Sequence, residues 1–235
     1  MSDFDNIILV TGCARSGTSI VGGIINMCGA FGGQMSPGNR HNQKGMFENA
    51  VIRNHITKPY LRSLGVDPMG QWPLPNLENL LIPVDWRQRV EQVLLDQGFD
   101  GQQKVFYKGA KMCLFWPVWN YAFPKARWVI VRRRSGDIAS SCEKTGFMSA
   151  FGRKDVQRAV GADNERDGWL FWINHHLSCF RAMQDAGLDV RVVWPERAVD
   201  GDFSEMKELI DWCRLDWNPD VLGFVDKKLW KARRK

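Results

Sequence analysis

Four consecutive aliphatic residues, Ile7, Ile8, Leu9 and Val10, run into Thr11, Gly12, Cys13, Ala14, Arg15, Ser16, Gly17, Thr18 and Ser19, and this junction constrains the chain more than any other stretch. An unbroken aliphatic run reads as a strand buried on both faces, the kind found in parallel sheets. A turn of small and polar residues follows, and residues 20–28 are apolar and suit a helix. Strand, glycine-bearing turn and helix together aim backbone N–H groups and a helix N-terminus at an anion. Gly12 and Gly17 stand at the spacing of a phosphate-binding loop, with one departure. Where nucleotide-hydrolysing loops carry Lys after the second glycine, this chain has Thr18 and then Ser19. Its cation sits inside the loop, at Arg15.

A parallel sheet needs crossover segments, and the rest of the sequence supplies them. Strands are predicted at residues 104–108, 127–132 and 190–194, and helices at 47–64, 84–97, 114–123, 135–144, 164–186 and 203–213. Pro59 predicts a kink or break near Lys58, and Pro117 an interruption of the 114–123 helix. Ser135 or Asp137 is expected to cap the helix after the third strand. Residues 31–45 and 65–83 read as irregular connections, and 146–163 as a mobile loop or short helix. The expected fold class is α/β, a P-loop-like three-layer sandwich whose central parallel sheet has about four to five strands flanked by helices. Residues 1–235 show no internal repeat and no linker, so a single domain is expected.

Charge narrows the ligand class. The chain has 32 Lys and Arg against 26 Asp and Glu, a modest positive balance that suits a polyanionic ligand. The basic residues are mostly scattered, which does not point to nucleic acid. Two clusters stand out: Arg132, Arg133 and Arg134, and the terminal Lys231, Arg233, Arg234 and Lys235, which read as a solvated tail. The six cysteines form no C-x-x-C pair and do not cluster with the four histidines, so no metal site is expected and reduced, buried thiols are. The first strand leaves no room for a signal peptide, and no apolar run reaches the roughly 18 residues of a membrane span. A cytoplasmic protein is expected; the residues leave its oligomeric state open.

A second informative stretch covers residues 129–142. Arg133 lies where a strand ends and Ser141 eight residues later on the following helix. Such a guanidinium and hydroxyl converge on one phosphate when the ligand sits at the strand ends of an open α/β sheet. Pairing this stretch with the loop at 12–19 makes a mere solvent-facing basic run the weaker reading of it.

These residues resemble the PAPS-dependent sulfotransferases, in their bacterial branch. Residues 12–19 are similar to that family's 5′-phosphosulfate loop and 131–141 to its 3′-phosphate motif. Residues 45–49, 108–119 and 123–127 resemble the stretches between them, and 192–216 the closing strand and helix, so the likeness is nearly full length. It implies PAPS as donor and PAP (3′,5′-ADP) as product, with Arg15, Ser16, Gly17, Thr18 and Ser19 on the 5′-phosphosulfate and Arg133 and Ser141 on the 3′-phosphate. Arg132 competes with Arg133 for that role, because the family's Asp-Pro-Arg-Asp is replaced here by Arg134, Ser135, Gly136 and Asp137. The family's small-molecule branch has a catalytic histidine in a Lys-x-His stretch, which here reads Lys108, Gly109, Ala110. The resemblance therefore puts the base on Glu48 and gives Arg15 a part in catalysis. A helix N-terminus close to Glu48 favours a negative charge there.

His41 and His55 are weaker candidates for the base. Lys108 and Lys111 either face the transferred group or end a strand. Trp194 is expected in the core, as are Trp169 and Trp172. The implied activity is sulfuryl transfer to the hydroxyl or amine of a small-molecule or glycan acceptor. It needs no divalent metal, since a sulfuryl group carries less negative charge than a γ-phosphate. The competing readings are a P-loop nucleotide kinase or ATPase, disfavoured by the missing lysine, and a nucleotide-binding relative without activity.

Overall fold

The computed structural model describes residues 4–40 and 42–230; His41 and the basic tail at 231–235 lie outside them. The aliphatic segments form one sheet of β1 (Ile8–Gly12), β2 (Phe106–Lys108), β3 (Arg127–Val131) and β4 (Val190–Val193). The order is β2-β1-β3-β4 and every pairing is parallel. Register aligns Ile8 with Arg127 and Gly12 with Val131, so the loop after β1 and the Arg133 segment after β3 emerge side by side. The carboxyl ends of parallel strands are where such folds hold ligands.

Among the described residues ten α-helices surround the sheet: α1 (Thr18–Met27), α2 (Lys58–Ser63), α3 (Trp86–Asp96), α4 (Trp116–Ala122), α5 (Ser135–Glu143), α6 (Lys154–Ala159), α7 (Glu165–Asp185), α8 (Glu196–Val199), α9 (Ser204–Trp212) and α10 (Val221–Phe224). Side chains alternate across each strand, so one strand feeds two cores. Leu9, Tyr107, Trp128 and Ile130 join Trp86, Trp119, Trp169 and Trp172 on one face. Ile8, Val10, Val129 and Val131 join Val21, Ile24, Leu209 and Ile210 on the other. The result is the expected three-layer α/β sandwich, with four strands. Among the described residues no helix is long and apolar enough to cross a membrane.

Several local expectations are corrected. The helix expected from residue 47 begins at 50, because Asn49 caps it by accepting from the N–H groups of Val51 and Ile52, 3.1 Å each. Pro59 does not break that helix. A π-helical turn, Ile52–Thr57, precedes it, and the His55 carbonyl, four residues before the proline, accepts from Arg89 Nη2 instead at 3.3 Å. Pro117 starts α4 rather than interrupting it, sitting in the first turn where no N–H is needed. Neither Ser135 nor Asp137 caps α5: Arg134 holds the cap position without a side-chain hydrogen bond, and both residues lie inside the first turn. Of the two readings offered for residues 146–163, the short helix is the one found, as α6 over Lys154–Ala159.

Candidate active site

The loop after β1 folds around two residues with left-handed backbone, Arg15 at φ 72° and Gly17 at φ 99°. Glycine adopts that conformation freely, whereas arginine does so at some cost in strain. Gly17 caps α1 without any side-chain bond; its carbonyl accepts from the Ile20 N–H at 2.9 Å, and Thr18 and Ser19, at the start of the helix, line the cavity. Ser16 is fully buried behind the loop, and its hydroxyl has no hydrogen-bond partner. Glycine is also required by space: a Cβ on Gly12 would lie 2.5 Å from the Val131 carbonyl oxygen.

β3 and α5 bring the second group to this loop. Arg133 is 6% exposed, and its Nη1 donates to the Arg15 carbonyl at 3.0 Å. Arg15 Nε donates to Ser141 Oγ at 3.1 Å, so three predicted residues form one connected set. Burial pulls the guanidinium pKa values of Arg15 and Arg133 below their ordinary value. Arg132 points elsewhere, stacking over Trp194 at 5.3 Å and Phe180 at 5.9 Å. Of the two, Arg133 lines the cavity and Arg132 does not. Trp194 itself is 38% exposed, not a core residue, because its ring covers Arg132 at the surface.

Glu48 reaches the same cavity from the segment before α2. Asn49 holds that segment by donating to the Gly32 carbonyl at 2.8 Å, and Ser19 Oγ donates to the Met46 carbonyl at 3.3 Å, tying α1 to it. The Glu48 carboxylate is 5% exposed. Its Oε2 lies 3.8 Å from Lys108 Nζ and 3.9 Å from Arg53 Nη1, while Oε1 has no hydrogen-bond partner among the described residues. Lys108 ends β2 with 3% exposure, and burial lowers its pKa against the opposing pull of Glu48. Lys111 donates to the Pro68 carbonyl at 3.1 Å, and burial brings its pKa down to about 8.

One cavity of about 370 Å³ joins these groups; Arg15, Gly17, Thr18, Ser19, Glu48, Arg133 and Ser141 all line it. His55 does not, and His41 lies outside the described residues. Trp169 and Trp172 are buried as expected, with the Trp172 indole donating to the Gly70 carbonyl at 2.8 Å. Among the described residues no group of three or more His, Cys, Asp or Glu is placed to hold a metal ion.

Three contributors escaped the sequence reading: Arg53, Lys58 and Trp230. Arg53 and Lys58 follow Glu48 closely, and only the π-helical turn shows which way they face. Trp230 packs over Arg133 at 4.1 Å, and with Pro195 it closes on Gly17, where a Cβ would meet them at 2.9 and 2.8 Å. A bulky aromatic just ahead of a basic tail was the available signal.

No family model matches the chain, and no curated protein does. Solved structures do. A sulfotransferase from Mycobacterium tuberculosis H37Rv superposes with a TM-score of 0.53 at 14% identity, covering 92% of this chain and 69% of that one. The sulfotransferase domain of the Synechococcus PCC 7002 olefin synthase gives 0.52 at 13% identity, over 92% of this chain and 75% of that one. The sulfotransferase domain of the curacin biosynthetic pathway gives 0.52 at 12%, over 97% and 78%. The chain therefore shares the fold of these sulfotransferases.

Proposed function

We propose that this protein is a sulfotransferase that moves a sulfuryl group from PAPS to the hydroxyl of a small-molecule or glycan acceptor. The observation that carries this reading is that the anion-binding loop, Arg133, Ser141 and Glu48 all line one cavity. The residues fit the donor: a glycine-bearing turn and a helix N-terminus, with Arg15, Thr18 and Ser19 on the cavity wall, suit a phosphosulfate, while Ser16 lies buried behind the loop and off that wall. When bound, PAPS supplies an activated sulfuryl group and leaves as 3′,5′-ADP.

Each role follows from local chemistry. Arg15 and the N–H groups at the start of α1 stabilise negative charge on the 5′-phosphate as it leaves. Arg133, shielded by Trp230, and Ser141 hold the 3′-phosphate. Glu48, which lines the cavity, takes the acceptor's hydroxyl proton as the new O–S bond forms. Lys108 keeps a cation beside that carboxylate.

Calorimetry tests the reading. 3′,5′-ADP should bind and ATP·Mg should not; the reverse pattern overturns it. Glu48→Gln should bind 3′,5′-ADP within about twofold of the parent yet lose transfer from labelled PAPS by about a hundredfold or more. Undiminished turnover removes Glu48 from the base role.

A further inference from the structure

We propose that the acceptor carries an anionic group, a carboxylate, phosphate or sulfate, bound by Lys58 and Lys111 with help from Arg53. The proposal rests on reading the cavity as a sulfuryl-transfer site. The donor end has cations of its own in Arg15 and Arg133. Elsewhere on the cavity wall Arg53, Lys58, Lys108 and Lys111 gather around a single carboxylate, Glu48. Glu48 Oε2 engages Lys108 at 3.8 Å and Arg53 at 3.9 Å. Among the described residues neither Lys58 nor Lys111 has a carboxylate at ion-pair distance, and the hydrogen bond that Lys111 makes goes to a neutral carbonyl, that of Pro68.

Lys111 is 8% exposed, and a nearly buried ammonium without a counter-anion is unfavourable. Its pKa of about 8, lowered first by burial, reflects that cost. A neutral acceptor leaves the surplus of positive charge uncompensated, and a cationic one adds repulsion. An anionic group beside the reacting hydroxyl neutralises it and orients the hydroxyl toward Glu48, since charge-assisted bonds are the stronger and more directional ones.

The test uses inorganic phosphate and acetate as probes, titrated by calorimetry into protein saturated with 3′,5′-ADP, so that the loop at residues 12–19 is already filled. Saturable binding of at least one probe is expected, and the preferred probe tells a phosphate- or sulfate-bearing acceptor from a carboxylate. Lys58→Met and Lys111→Met should each weaken that binding by about tenfold, with 3′,5′-ADP affinity within about twofold. Lys58 is half-buried beside the opening, so its variant tests the site even where Lys111→Met folds poorly. Absence of saturable binding, or equal binding by both folded variants, overturns the proposal. Failure of 3′,5′-ADP to bind at all strikes instead at the sulfotransferase reading; the two lysine variants then report on the anion site in the unliganded protein.

Discussion

At the scale of single residues, Arg133 shows how much chemistry one buried side chain can gather. It donates to the Arg15 carbonyl, carries Trp230 on its face and lines the cavity beside Ser141. If it binds a 3′-phosphate, Arg133→Ala should weaken 3′,5′-ADP by about tenfold or more, and 5′-AMP much less, since only the former places a charged oxygen there. Equal losses for the two nucleotides would show that the variant merely disturbs the loop. Arg15, Arg133 and Ser141 could be brought to one cavity from the sequence because each sits at a fixed offset from a strand end or turn, where a short motif carries geometry, whereas Glu48 was reached only through the family resemblance. Lys58 and Trp230 were not, since what places them in the cavity is packing between distant segments.

At the scale of elements, the aliphatic runs and their spacing were enough to predict four strands and most helices. The misreadings cluster at proline and at caps. Pro59 and Pro117 were read as breakers, yet a widened turn accommodates one and a helix start the other. Asn49, not the residues nearer the expected start, set where its helix begins. One tight joint is that between β1 and β3 at Gly12. A methyl group there meets the Val131 carbonyl oxygen, a backbone atom that cannot rotate away. Gly12→Ala should therefore cost about 2 kcal/mol and lower the melting temperature by about 4–8 °C. Gly223→Ala, with nothing within 4 Å of its added carbon, is the control that should leave it unchanged.

At the scale of the whole molecule, stability depends on how many titratable groups the two cores keep neutral. Burial lowers the pKa of His176 from 6.5 to about 3. Between those values the unfolded chain holds a proton that the folded chain lacks, so stability falls as pH drops below about 6.5, by up to about 1.4 kcal/mol per pH unit. Burial raises the thiols of Cys13, Cys28, Cys113, Cys142, Cys179 and Cys213 above their usual 9.0. Above about pH 9 the folded chain keeps protons that the unfolded chain loses, so stability falls there too. Thermal melts across pH 4–10 should give a plateau with both shoulders, and His176→Phe should flatten the acid one; an identical acid shoulder refutes the assignment. The sheet also has a consequence for how the chain is made. β1 emerges first, but its partners are β2, from residue 106, and β3, from residue 127. No neighbouring hairpin shelters it, so during synthesis the aliphatic strand and its glycine loop wait for nearly half the chain before any sheet can close. Closing the sheet therefore needs contacts far apart in sequence, Ile8 with Phe106 and with Arg127, which slows folding and leaves residues 7–10 as an aliphatic segment open to self-association until those partners arrive.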